Sequence, residues 1–161
     1  MMRISSKLRL GLAGFAVSAA ALLGLEHLAA QGMGGGIAGH DSNAPVNYAA
    51  DRIELMDKQG QVVLSGNVEI TQGDLVLRAP RTTVTYSNQG ELKIQRLDAT
   101  GGVSVVRGAE NLRGDVAIYD LGGRIITLLG HVTMARGNDA AQHSARLVID
   151  LAKGHTVTDG G

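Results

Sequence analysis

Apolar residues occupy alternate positions through the body of the chain. Val62, Leu64, Gly66, Val68 and Ile70 form one such run, and Ile126, Leu128, Gly130, Val132 and Met134 form another. Period-two alternation predicts strands that bury one face and leave the other polar. No window after residue 40 sustains helical spacing, so the mature protein is expected to be almost entirely β.

The runs repeat. Gly66-Asn-Val68-Glu-Ile70-Thr-Gln-Gly73, Gly101-Gly-Val103-Ser-Val105-Val-Arg-Gly108 and Gly130-His-Val132-Thr-Met134-Ala-Arg-Gly137 share a leading glycine, two alternating apolar residues and a closing glycine, at separations of 35 and 29 residues. A second element keeps step with them, from Ala50-Asp-Arg-Ile53 through Ala79-Pro-Arg-Thr82 and Gly114-Asp-Val-Ala117 to Ser144-Ala-Arg-Leu147. Turns fall between, at Lys58-Gln59-Gly60, Asn88-Gln89-Gly90, Leu121-Gly122-Gly123 and Ala152-Lys153-Gly154, where glycine or Asn supplies the positive φ of a short reversal. About four copies of one hairpin unit result, the second lengthened between Glu91 and Ala99 by an insertion or bulge. Glycine inside a strand marks a bend. Each long run is therefore expected to fold over at Gly66, Gly101 or Gly130 and pass from one sheet to a facing one, stacking into a two-layered, elongated structure with aliphatic inner side chains.

The N-terminus has a different character. Arg3, Lys7 and Arg9 precede an apolar run from Leu10 to Leu25, and small residues follow at Ala29-Ala30. This is the pattern of a secretory signal peptide over residues 1–31, its apolar run too short for a stable membrane span. The glycines of 32–44, GMGGGIAG among them, lack the flanking strand and helix of a phosphate loop and predict a flexible tether. The folded domain is then 45–161.

Composition narrows the chemistry. The 161 residues carry 15 basic and 15 acidic side chains, and loss of the signal leaves 12 against 14, so no basic excess points to nucleic acid. Cysteine is absent, which removes disulfides, thiol catalysis and a lipidated cysteine. With one Phe, three Tyr and no Trp, the inner faces must be built from Val, Ile, Leu and Ala. His131, His143 and His155 stand twelve apart, but turns intervene and the spacing defines no metal site. Ser104 and Ser144 lie in no nucleophile-elbow pattern. We expect no enzyme activity, no metal and no cofactor.

The stretch from Asp41-Ser-Asn-Ala-Pro45-Val46-Asn-Tyr48 to Gly66-Asn67-Val68-Glu-Ile70-Thr-Gln72-Gly73, with Gly114-Asp-Val-Ala-Ile-Tyr119-Asp and Ala145-Arg-Leu-Val-Ile-Asp150 after it, resembles the OstA (LptA-like) family of periplasmic lipopolysaccharide-transport bridge proteins over about residues 41–161. The resemblance implies an all-β, open, twisted β-jelly roll in the periplasm, sheltering the acyl chains of lipopolysaccharide in transit between the membranes. It also implies head-to-tail strand pairing with similar domains of inner-membrane and outer-membrane transport components, and self-association into open-ended oligomers. The repeat register turns Val46, Tyr48, Ile53, Leu55, Val68, Ile70, Val84, Val103, Val105, Tyr119, Leu121, Val132, Met134 and Ile149 inward, as groove lining or as ordinary core, which share one signature. Ala145, Leu147 and Val157 are expected on the edge offered to a partner strand. Two other readings remain open at this point: an uncleaved residue 10–25 segment, making an inner-membrane docking subunit, or a purely structural β-repeat module with a dry core.

Overall fold

The structure, a computed structural model, describes residues 39–160. The expected signal peptide and the first part of the expected tether, residues 32–38, lie outside the described residues. Nine strands follow one another: β1 (Val46–Ala49), β2 (Arg52–Met56), β3 (Gln61–Gln72), β4 (Leu75–Ser87), β5 (Lys93–Arg107), β6 (Glu110–Asp120), β7 (Ile125–Arg136), β8 (Gln142–Asp150) and β9 (His155–Asp159). All pairings are antiparallel, in the order β1-β3-β4-β5-β6-β7-β8-β9, with β2 beside β1 along the same strand β3. Among the described residues the only helical element is a single 3₁₀ turn, Asp57–Gln59.

Each long strand is creased near its middle. The ladder loses register between Ser65 and Val68, Thr100 and Val103, and Leu129 and Val132. At those three places two consecutive residues take left-handed backbone: Gly66 and Asn67, Gly101 and Gly102, Gly130 and His131. Pro80 is the bulky neighbour of Gly101, while Asp51 and Asp115 reach across the crease to bond Asn67 and His131 at 2.8 and 2.7 Å. The bends expected at Gly66, Gly101 and Gly130 are therefore present, and each uses a pair of left-handed residues rather than glycine alone. At the ends opposite the crease, β3–β4 and β5–β6 turn in two residues, Gly73-Asp74 and Gly108-Ala109, with positive φ at the first, as a type II′ hairpin requires.

The crease divides one sheet into two facing layers. The first holds β2, the halves of β3 to β8 on one side of the crease, and β9; the second holds β1 and the remaining halves. Side chains directly opposite each other in an antiparallel pair share a face, so inner ladders can be read across the sheet. In the first layer they run Ile53-Leu64-Thr82-Ala99-Ala117-Leu128-Leu147-Thr158 and Leu55-Val62-Val84-Leu97-Tyr119-Ile126-Ile149-Thr156. In the second, Tyr48-Ile70-Leu77-Val105-Leu112-Met134 forms the matching row. Both layers contribute to one aliphatic cluster in which Leu64, Ala99, Val105, Ala117, Leu128, Leu147 and Ile149 are wholly inaccessible. Each such Val, Leu or Ile stabilises the fold by roughly 1.5–3 kcal/mol relative to exposure. The lengthened second unit is visible as the wider β4–β5 turn and a bulge that skips Gln95, whose carbonyl accepts the Leu121 N–H at 3.0 Å.

The paired glycines at the middle crease allow a direct test. Gly101 and Gly102 have φ of 92° and 93°, but a Cβ on Gly101 would lie 3.2 Å from Pro80 Cγ, whereas one on Gly102 would meet nothing. Urea unfolding should show each Gly→Ala variant losing about 1–2 kcal/mol from the left-handed backbone, with G101A the less stable of the two. Equal losses would show that the proline contact does not hold the crease.

Candidate functional site

The site the chain builds is the space between the layers and the places where that space opens. Val68, Ile70, Val84, Val103, Val105, Tyr119, Val132 and Ile149 lie in the buried cluster, with Val46, Leu121 and Met134 half-buried against it. Tyr48, Ile53 and Leu55 belong to the same inner ladders, yet they are 49%, 54% and 64% exposed. They sit on β1 and β2, which among the described residues have strand neighbours on one side only, so the inner face runs out to solvent here as an apolar mouth. At the opposite end the inner positions of β9 are Thr156 and Thr158.

The expected edge is corrected in part. Leu147 is fully buried and its strand is paired on both sides, with Leu128 on β7 and Thr158 on β9. Ala145 sits at the crease and its N–H is taken by the Gly160 carbonyl at 2.7 Å. The last strand in the sheet is β9, where Val157 pairs with Val148 and is 56% exposed on the outer face. The misplacement arises because alternation identifies faces but cannot show which strand is outermost.

Opposite the crease, the lips of the two layers meet through a polar cluster. Gln72 stands on the inner face of β3, in register with Val68 and Ile70, and is 2% exposed. Its Oε1 accepts from the Tyr119 hydroxyl of the other layer at 2.8 Å and pairs with His40 Nε2 at 3.0 Å. Its amide NH₂ donates to the carbonyls of Ser42 and Ala44 at 2.9 and 3.0 Å. An amide offers two hydrogens and two lone pairs, and all four are used. Because Oε1 can only accept, His40 Nε2 must carry the proton in this arrangement. Burial raises the Tyr119 hydroxyl above the ordinary phenol range, which keeps it a donor.

Three of the four partners of Gln72, His40, Ser42 and Ala44, come from residues 39–44, the last part of the expected tether, which here is tied to the fold. The segment turns tightly, with Asp41 accepting from Asn43 N–H through Oδ1 at 3.0 Å and from Ala44 N–H through its carbonyl at 3.2 Å. Asn43 accepts from Arg124 of the first layer at 3.2 Å. On the second layer His40 Nδ1 lies 3.5 Å from Asp74, which Arg107 holds at 2.8 Å. Partial desolvation pushes the Asp74 carboxyl up, but the hydrogen bond and charge of Arg107 outweigh it and bring the group below its usual value. A recess of about 770 Å³ beside the segment is floored by Ile94 and Leu121 and rimmed by Asn43, Lys93 and Arg124. Gln72 and the His40 segment are the features of this candidate site that alternation of apolar residues misses. The signal was present in the register 68, 70, 72, which directs a polar side chain inward.

A creased sheet with an aliphatic interior and an open first edge defines a class, the LptA-type open β-jelly roll. LptH, the LptA homologous periplasmic component of the conserved lipopolysaccharide transport device from Pseudomonas aeruginosa, has the same fold at a TM-score of 0.66 and 19% identity, over 76% of this chain and 87% of that one. An uncharacterized protein of Rhizobium meliloti (strain 1021) is 27% identical over 105 residues, which is 61% of this chain, and the chain spans 56% of that relative's length. The family model of the LptA/(LptD N-terminal domain) LPS transport protein matches residues 48–155, and the chain belongs to that family. Among the described residues no helix is long and apolar enough to cross a membrane, and no group of His, Asp or Glu is placed to hold a metal ion.

Core and mouth should respond differently to truncation. Leu128→Ala is expected to lower unfolding free energy by about 2–5 kcal/mol, whereas Ile53→Ala and Leu55→Ala should stay within about 0.5 kcal/mol of the parent. Denaturant titration checks this, and a large loss at Ile53 would mean that the mouth is structural core.

Proposed function

We propose that this protein is a non-catalytic periplasmic carrier that shields the acyl chains of lipopolysaccharide on their way from the inner to the outer membrane. The observation that carries the reading is the continuity of the inner aliphatic ladders from the buried cluster out to Tyr48, Ile53 and Leu55, which remain half or more exposed. Each acyl methylene taken from water gains roughly 0.8 kcal/mol, so a lipid with several chains needs an apolar surface of this kind to cross an aqueous compartment. The proposed lining is the inward-facing set from Val46 to Ile149, with the mouth residues meeting the lipid first.

The two ends of the sheet support the second part of the proposal, a bridge assembled by strand pairing. β1 and β2 at one end and β9 at the other each have an unoccupied side among the described residues, and such edges accept further strands. The proposed partners are the similar domains of inner-membrane and outer-membrane transport components and further copies of this chain. No cofactor enters the proposal.

A photoreactive phenylalanine analogue at Ile53 or Leu55 is expected to crosslink to purified lipopolysaccharide, while the same probe at Arg113 on the outer face should not. Absence of any adduct at either mouth position would overturn the carrier reading. For the bridge, light scattering should show mass rising with protein concentration, and Val157→Lys, which adds charge to an exposed outward position of β9, should reduce that growth. A strict monomer at every concentration would overturn self-association.

A further inference from the structure

We propose that residues 39–44 are a latch that closes the lips of the trough in the empty protein and is displaced when an acyl chain enters. This rests on the carrier reading and adds to it the step that governs loading. The inner side chains of both layers are buried in one cluster, so a lipid chain enters where the layers separate. Opposite the crease, Tyr119 on one layer meets Gln72 on the other, and the 39–44 segment spans the same gap from Asp74 and Gln72 to Arg124.

Three features suit this segment to opening. It contains Gly39, His40, Asp41, Ser42, Asn43 and Ala44, so no large apolar side chain anchors it and none is exposed when it leaves. It is held on the trough by hydrogen bonds and by the buried ring of His40, and hydrogen bonds are replaced by water at small net cost, unlike the cooperative packing of the aliphatic ladders. The four bonds of Gln72 also converge on one side chain, so movement of the segment removes three partners together and leaves Gln72 with its bond from Tyr119. A polar group in that position is costly when unpaired in a dry interior, and an amide satisfied in one closed arrangement selects that arrangement.

The absence of cysteine makes the test clean. In the full chain, Asn43→Cys and Arg124→Cys replace two exposed residues whose side chains meet across the lips, and a bis-maleimide with an internal disulfide joins them. Lipid A and a fluorescent fatty-acyl probe are then titrated against the parent, the double variant capped with a monofunctional maleimide, the bridged form and the bridged form after reduction. The bridged form should bind about tenfold or more weakly, because the open population is removed, and reduction should restore binding to the level of the capped control. Equal uptake by bridged and capped protein overturns the latch while leaving the carrier reading intact. No uptake by any form overturns both.

Discussion

The fold depends on one backbone constraint: at three places along the sheet, two successive residues are held in the left-handed region. For most side chains that conformation is costly, on the order of 1–2 kcal/mol per residue. Its recurrence at Gly66-Asn67, Gly101-Gly102 and Gly130-His131 aligns the bends across the strands. Without aligned bends a nine-stranded antiparallel sheet would present its aliphatic face to water. With them, the same sheet covers itself and needs no second domain or helix to bury its inner ladders. The non-glycine members of the pairs are accommodated by side chains from across the crease, Asp51 for Asn67 and Asp115 for His131.

That economy explains what could be seen in the chain before folding and what could not. Period-two alternation is a local property, so the strands, their inward faces and the bends at Gly66, Gly101 and Gly130 were all legible. The repeat even directs Tyr48, Ile53 and Leu55 inward, although their exposure depends on the absence of a neighbour, which is a property of the assembled sheet. Leu147 shows the same limit from the other side: an apolar residue near the end of the chain reads as an edge residue until β9 is seen to cover it. The lip cluster was hardest to foresee. Gln72 gains its meaning from Tyr119 and His40, 47 and 32 residues away, and no short-range pattern encodes such a meeting. Residues 39–44 look like linker because they lack large apolar residues, yet their backbone carbonyls satisfy a buried amide.

The two sides of the trough therefore differ in kind. Along the crease the layers are joined covalently by every long strand, and the geometry there is set by backbone angles. Along the lips they are joined by side-chain amide, phenol and imidazole groups, and by one arginine to one asparagine. A structure stiff on one side and weakly tied on the other deforms like a clasp. The outward faces on both layers carry separate ion pairs, Glu69 with Arg78 and Arg96 with Asp98, each within one layer, so they place no restraint on the separation.

The two ends of the sheet are also unlike. β1 and β2 both lie on β3 and finish the two layers level with each other, whereas β9 extends only the first layer, beyond the half of β8 around His143 and Ser144. The far end is thus stepped by about one strand spacing, 4.8 Å, like a carpenter's half-lap cut. A flat-ended neighbour set against it would touch β9 first and leave a slot over the shorter layer. End-on joining of such modules acquires a polarity from this offset alone, before any side chain is consulted.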